Sequence, residues 1–270
     1  SIVLIAAGGY VINDINDIAS DRVNKNTEKL LLDVISEKQA LALYVGLTAV
    51  GIGIGAYIAN SYGFFQLVYF HILSAGLLWL YSSYFKSSVL IGNLLVALLS
   101  ALVPLCYFCF EAYSFILSYG GIYKELFHSY FALGPLSGLM WYSFTLAIFA
   151  FVFTLIREII KDLEDLEGDK MLDGKTLPLY IGSQNTLWIV RLLILISIIA
   201  LLLFYYNTLT FTPFREIAYH VYFYLGIILP CFVLLYECFK KEVNYGTAST
   251  ITKFIMLFGI LSCYMYYSLA

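Results

Sequence analysis

The chain has 270 residues, of which 61% are hydrophobic, 18% are aromatic and only 12% are charged. About a quarter of the residues of a soluble globular domain are charged, so this composition excludes that class and indicates a membrane protein. The formal net charge of -3 at pH 7 is too small to indicate a nucleic-acid partner.

Residues 1–12 form the first apolar segment. At 1.5 Å per residue a helix of this length reaches about 18 Å, which is short of the bilayer hydrocarbon core of about 30 Å. Because the chain also starts at Ser1 and not at Met, we expect the opening helix to be cut and an earlier helix to be missing.

Seven later stretches are apolar over about 20 residues, the length that crosses a bilayer as a helix. They lie at residues 37–60, 63–81, 89–110, 135–158, 185–206, 217–239 and 250–270. The sequence therefore predicts an all-α, polytopic membrane protein in which residues 1–270 form one membrane domain.

An acidic motif follows the opening helix. Asp14, Asp17 and Asp21 have the spacing D-x-x-D-x-x-x-D. On an α-helix, positions i, i+3 and i+7 lie along one face, so we expect three carboxylates in a row. Clustered carboxylates repel one another, and a helix C-terminus is itself unfavourable for negative charge, so this row indicates a bound divalent cation.

The same spacing returns 148 positions later, at Asp162, Asp165 and Asp169. Four predicted spans separate the two motifs, which predicts a parallel internal repeat of four helices. Two bundles with the same orientation can bring six carboxylates face to face. Two motifs that arose independently are the alternative. Carboxylate oxygens suit Mg²⁺, which keeps several waters and adds one or two carboxylates plus substrate phosphates.

The positive charges set the predicted orientation. Every Lys and Arg except Lys124 and Arg215 falls on one side of the membrane in this topology, and the positive-inside rule makes that side cytoplasmic. Both acidic motifs lie there. We therefore expect a multi-pass protein of a bacterial or archaeal cell membrane, with its site near the cytoplasmic face.

Cations accompany the second motif. Arg157 and Lys161 are i and i+4 on the helix that carries Asp162, so they can point to phosphate oxygens bridged by a metal. Two carboxylate rows, divalent metals and basic side chains together form a site that can hold a diphosphate and stabilise it as it leaves.

These motifs resemble those of the UbiA-type intramembrane prenyltransferases. Asn13 with the first three aspartates matches the family pattern N-D-x-x-D-x-x-x-D, and the second motif matches D-x-x-D-x-x-x-D. The agreement continues in residues 81–86, 92–93 and 174–182. One departure is that Tyr81 precedes Lys86 by five positions, whereas the family often has four.

The resemblance implies a bundle of nine helices around a central cavity, with about eight present here. It also implies that two Mg²⁺ ions bridge a prenyl diphosphate and that the remaining polar residues bind substrate. The implied catalytic metal ligands are Asp14, Asp17, Asp162 and Asp165, and the implied substrate-binding residues are Asn13, Asp21, Lys25, Lys86, Asn93, Arg157, Lys161 and Asp169.

The context of the second motif is similar to the branch that contains geranylgeranylglyceryl phosphate, homogentisate and chlorophyll prenyltransferases. We therefore expect transfer of a polyprenyl group to a geranylgeranylglyceryl-phosphate-like lipid. The first alternative is prenylation of a quinone precursor of the homogentisate, 4-hydroxybenzoate or naphthoate type. The alternative from another class is a transporter of divalent cations or phosphorylated metabolites. The expected partners are prenyl diphosphate, the acceptor and membrane lipids, without nucleic acid or an obligate protein partner.

Overall fold

A computed structural model describes residues 1–24, 30–86, 88–123, 135–171, 174–211 and 217–269. These residues are almost entirely helical, and no strand occurs among them. The chain divides into two compact units, Ser1–Ile148 and Phe149–Ala270, and each unit is considered separately below. The predicted all-α architecture is confirmed.

The described part of the first unit contains four complete long helices. They are α1 (Ile2–Asn24), α2 (Glu37–Ser61), α3 (Val68–Leu80) and α4 (Ile91–Tyr123). A five-residue π-helical turn, Tyr81–Phe85, extends α3. Helix α1 is longer than the predicted apolar segment and carries the whole first motif.

Glycines allow α1 and α2 to approach closely. A methyl group on Gly8 would lie 2.7 Å from Thr48 Oγ1, and one on Gly51 would lie 2.7 Å from Ile5 Cγ1. Small residues at such crossings let membrane helices pack backbone to backbone. This contact fixes the helix that carries the first motif against its neighbour.

The second unit begins within α5 (Pro135–Glu164), and its described part continues through six further helices of different lengths. They are α6 (Leu166–Met171), α7 (Leu177–Ile181), α8 (Ser183–Phe211), α9 (Ile217–Val221), α10 (Leu229–Phe239) and α11 (Tyr245–Leu269). A π-helical stretch, Tyr222–Ile228, joins α9 to α10. Gly182 has a φ of 86° and separates α7 from α8, a backbone angle that favours glycine.

Among the described residues, six helices are long and apolar enough to cross a membrane. They are Glu37–Ser61, Phe65–Phe85, Ile91–Ser114, Gly138–Glu164, Ser183–Tyr206 and Ile217–Phe239. In an 18-residue apolar stretch of each of these helices, only 11% to 33% of the residues are buried inside the protein. Exposed apolar surface of this extent would be unfavourable in water and is suited to lipid. The seventh predicted span is helical through Leu269, but its side chains after residue 262 lie outside the described part of the chain.

Candidate functional site

The first motif carries a buried carboxylate. Asp17 on α1 is only 8% exposed, and its Oδ2 atom accepts hydrogen bonds from Lys86 Nζ and from Asn13 Nδ2, the latter at 2.6 Å. A buried carboxylate is stable only when it is paired and hydrogen-bonded. The ammonium group and the amide together supply this compensation.

The segment that carries Lys86 is itself tightly held. The backbone N–H of Lys86 donates to the Tyr81 carbonyl at 2.9 Å, which closes the π-helical turn. Ser88 Oγ then accepts the N–H of Gly92 at 3.0 Å at the start of α4. A methyl group on Gly92 would lie 2.6 Å from the Phe85 carbonyl oxygen, so only glycine lets α4 begin this close to the turn.

The structure describes some of the other predicted site residues of the first unit and leaves others out. Asp14 is half-buried on α1, and Asn93 is buried in the first turn of α4. The backbone of Asp21 lies in α1, but its side chain is outside the described part of the chain, as is all of Lys25. The structure thus brings Asn13, Asp17 and Lys86 into direct contact.

The second motif crosses a helix junction. Asp162 lies in the last turn of α5, Asp165 lies between α5 and α6, and Asp169 lies in α6. The backbone bonds Asp165 N–H to Lys161 O (2.9 Å) and Asp169 N–H to Asp165 O (3.0 Å) continue the helical pattern across the bend. The N–H of Gly174 also donates to the Asp169 carbonyl at 2.9 Å, so Gly174 lies close to α6.

Glu158 is a candidate site residue that the sequence analysis missed. It is 7% exposed and lies within an apolar helix, where an ionisable residue usually has a function. Its carboxylate pairs with the guanidinium of Arg157. The signal was its spacing, because Glu158, Asp162 and Asp165 are i, i+4 and i+7 and extend the acidic row by one turn.

Two further basic side chains in the second unit contact the C-terminal end of α10. Arg191 is 8% exposed and donates through Nε and Nη2 to the Cys238 carbonyl at 3.0 and 2.8 Å. Its guanidinium also lies over the rings of Trp188 and Phe239. Lys240 pairs with Glu237 at 2.5 Å, and the hydrogen bond to that carboxylate raises the pKa of Lys240. Both cations therefore stabilise the C-terminal end of α10.

The first motif fits a hard divalent cation such as Mg²⁺. The Oδ1 atom of Asn13 is buried and accepts no hydrogen bond from the part of the chain that the structure describes, and it belongs to the amide that donates to Asp17. An unpartnered amide oxygen beside a carboxylate is the donor chemistry that Mg²⁺ prefers. Among the described residues, no three His, Cys, Asp or Glu side chains gather to hold a metal. Mg²⁺ commonly binds with fewer protein ligands, because waters and substrate phosphates complete its shell.

Three known proteins that are similar in sequence to this chain have the same name. Digeranylgeranylglyceryl phosphate synthases of Sulfurisphaera tokodaii, Sulfolobus acidocaldarius and Methanosphaera stadtmanae are 32%, 37% and 30% identical over 86%, 71% and 99% of this chain. The aligned regions cover 72%, 58% and 84% of those proteins. The chain thus spans little more than half of the S. acidocaldarius protein.

Two solved structures share the fold. One, reported for digeranylgeranylglyceryl phosphate synthase in membranes, aligns with a TM-score of 0.56 at 22% identity and covers 96% of this chain and 81% of that one. The other, a UbiA homologue from Archaeoglobus fulgidus bound to DMAPP and Mg²⁺, has a TM-score of 0.57 at 19% identity and covers 95% of this chain and 83% of that one. The profile of the UbiA prenyltransferase family matches residues 1–266. Together with the six apolar helices, this match shows that the chain is an integral, multi-pass membrane protein that belongs to the UbiA prenyltransferase family.

Proposed function

We propose that the chain catalyses Mg²⁺-dependent transfer of a polyprenyl group from a prenyl diphosphate to a membrane-embedded lipid acceptor, of the geranylgeranylglyceryl phosphate type. Relatives named digeranylgeranylglyceryl phosphate synthase support this acceptor. The observation that carries the proposal is the first motif, where a lysine and an asparagine converge on a buried aspartate.

The contacts of the first motif suit a diphosphate site. The amide oxygen of Asn13 has no hydrogen-bond donor among the described residues. It lies beside the Asp17 carboxylate, which could hold a cation, and Asp14 lies on the same helix. The ammonium group of Lys86 pairs directly with the Asp17 carboxylate of this motif. With a metal on the carboxylates, its ammonium group would turn to the phosphate oxygens, which are equally good acceptors for it.

The second motif would supply the other part of the site. Asp162 and Asp165 would hold a second Mg²⁺, and Arg157 and Lys161 would donate to diphosphate oxygens from the preceding turn of α5. Asp21, Lys25 and Asp169 would complete the rows and the phosphate contacts, and Asn93 would shape the prenyl or acceptor pocket. Glu158 would hold Arg157 in position, since the two side chains are paired.

The proposed reaction would use these charges at one bond. The bond between prenyl C1 and the diphosphate oxygen breaks, and both electrons leave with the diphosphate. An acceptor hydroxyl oxygen bonds to C1, and its proton passes to the departing diphosphate or to water. Bound Mg²⁺ supplies positive charge that stabilises the departing diphosphate. In this proposal Lys86, Arg157 and Lys161 would add donors to the diphosphate oxygens, and the apolar helices would exclude water that could otherwise capture the allylic carbon.

We further propose that this site lies near the cytoplasmic face of a bacterial or archaeal cell membrane. The support is the charge distribution, because nearly all Lys and Arg residues lie on the side of the two motifs in the predicted topology. No nucleic acid or obligate protein partner is proposed. Membrane lipids would surround the apolar helices.

The test incubates the protein in membranes with Mg²⁺, labelled geranylgeranyl diphosphate and a panel of acceptors, and identifies the labelled product by mass. We expect an ether product with geranylgeranylglyceryl phosphate and release of one diphosphate per transfer. Chelation of the metal should stop both. A product with homogentisate, hydroxybenzoate or naphthoate acceptors alone would replace the lipid assignment with the aromatic one. Metal or metabolite uptake into vesicles without any product would replace the enzyme with a transporter.

A further inference from the structure

The π-helical turn at Tyr81–Phe85 changes which backbone carbonyls are free. In an α-helix the N–H of Lys86 would bond to the carbonyl of Ser82, four residues earlier. Here that N–H bonds to the carbonyl of Tyr81, five residues earlier, at 2.9 Å. The Ser82 carbonyl has therefore lost its α-helical donor. Such turns often occur at functional sites.

Asn16 donates a hydrogen bond to that carbonyl. Its Nδ2 atom on α1 donates to the Ser82 carbonyl oxygen at 3.0 Å. Asn16 is exposed and is not one of the acidic residues of the motif. Asparagine is also a poor helix former, so its place within the 23-residue helix α1 is better explained by this contact than by helix propensity.

The two contacts between α1 and this segment are adjacent. Asn16 binds the backbone of Ser82, and the next residue, Asp17, binds the side chain of Lys86. The first contact holds the backbone and the second is made by the ammonium group four residues later. A backbone anchor one turn before a long, flexible side chain restricts where its ammonium group can reach.

We propose that Asn16 is a positioning residue for Lys86, which it holds at the first motif through the Ser82 carbonyl that the π-helical turn releases. The inference rests on the proposed function in so far as it assigns Lys86 to the diphosphate. Asn16 itself touches neither substrate nor metal in this account. The hydrogen bond from the Lys86 N–H to the Tyr81 carbonyl, five residues earlier, is then what leaves the Ser82 carbonyl available to Asn16.

The first test measures how fast the Lys86 amine reacts with acetic anhydride in the membrane-embedded protein, by mass spectrometry of the peptide that contains it. Asn16→Leu should raise this rate by about 2- to 12-fold, the change that corresponds to one lost hydrogen bond. Ser82→Ala should leave the rate unchanged, because the acceptor is the backbone carbonyl. Asn60→Leu, the same substitution at an exposed asparagine of α2, is the matched control. If Asn16→Leu does not fold, Asn16→Asp keeps the shape and removes the donor.

The second test asks whether Asn16 acts through Lys86. Asn16→Leu should lower kcat/KM and raise the inhibition constant of inorganic diphosphate by about 2- to 12-fold. In the Lys86→Met background the same substitution should change neither, because the group it positions is gone. An unchanged labelling rate, or equal losses in both backgrounds, would overturn the inference. Full activity of Lys86→Met would instead refute the proposed role of Lys86, while the labelling rate still decides whether Asn16 holds it.

Discussion

In the first unit Asp17 pairs with Lys86, a residue 69 positions further along the chain and on another helical element. In the second unit Arg157 pairs with Glu158, its immediate neighbour on α5. The two acidic motifs have the same residue spacing, yet one obtains a cation through a tertiary contact and the other has a locally paired cation one turn away. Equal spacing therefore does not imply equal local electrostatics.

The backbones differ as well. The first motif lies within the unbroken helix α1, whereas the second crosses the junction between α5 and α6 at Asp165. An unbroken helix keeps carboxylates at i, i+3 and i+7 on one face. A bend at the middle carboxylate changes the direction of the last one, so we expect Asp169 to contribute less to metal binding than Asp162 and Asp165.

The largest expected effect tests whether both motifs serve one reaction. Asp17→Asn and Asp165→Asn should each lower kcat by about 10²- to 10³-fold, because each would remove charge from the proposed diphosphate site. The measurement is Mg²⁺-dependent release of diphosphate in membranes. Asp33→Asn is the control, because this exposed carboxylate lies outside both motifs. Loss of activity in only one of the two motif variants would break the comparison.

The next effect concerns the local pair of the second unit. Arg157→Ala leaves the buried Glu158 carboxylate uncompensated and should lower the free energy of unfolding by about 1–3 kcal/mol. The double variant Arg157→Ala/Glu158→Gln should recover most of that stability but not the affinity for inorganic diphosphate. Denaturant midpoints and inhibition constants separate the two properties. Recovery of both would show that Arg157 has no role at the diphosphate.

A pair of glycines compares the start of one helix in each unit. Gly92 and Gly246 are the second residues of α4 and α11. A methyl group on Gly92 meets the Phe85 carbonyl at 2.6 Å, whereas one on Gly246 meets the end of the Glu164 side chain at 3.1 Å. Gly92→Ala should therefore cost about 1–3 kcal/mol of stability, measured by thermal unfolding. Gly246→Ala should cost little, since a carboxylate can move and a backbone carbonyl cannot.

Gly53→Ala, with no atom within 4 Å of the added methyl group, is the reference for this series. It should be neutral or slightly stabilising, because alanine has the better helix propensity. Equal unfolding midpoints for the Gly92 and Gly246 variants would contradict the difference in packing between the two units.

The smallest expected effect is on metal binding without substrate. Lys86 competes with a cation for the Asp17 carboxylate, so Lys86→Met should bind Mn²⁺, as a probe for Mg²⁺, about fivefold more tightly. The factor corresponds to a partly exposed ion pair of about 1 kcal/mol. Electron paramagnetic resonance titration of the protein in detergent measures it. Weaker Mn²⁺ binding in this variant would mean that Lys86 supports the metal site and does not compete with it.

Residue pattern alone predicted much of the fold. Apolar runs near 37–60 and 217–239 correspond to helices Glu37–Ser61 and Ile217–Phe239, because a bilayer requires about 20 apolar residues in a helix. The residues Asn13 and Lys86 were also predicted as partners of one site. The family was recognisable because two motifs of fixed spacing in an apolar chain are rare.

Other parts of the site could not be predicted from the pattern. Glu158 looked like an ordinary charged residue beside Arg157 until its burial was known. The bend at Asp165 has no glycine or proline to mark it. The π-helical turn appeared only as one extra residue between Tyr81 and Lys86, and its consequence for the Ser82 carbonyl depends on hydrogen bonds that are invisible in sequence.

Sequence by itself determined the membrane class, the helical spans, the two acidic motifs and the family, because these depend on hydropathy and on spacing along one chain. Tertiary structure alone decided that Lys86 and Asn13 meet on one oxygen of Asp17, and that Asn16 holds the Ser82 carbonyl. Such contacts depend on how neighbouring helices pack and where a helical turn widens. Spacing along the chain does not specify these hydrogen bonds.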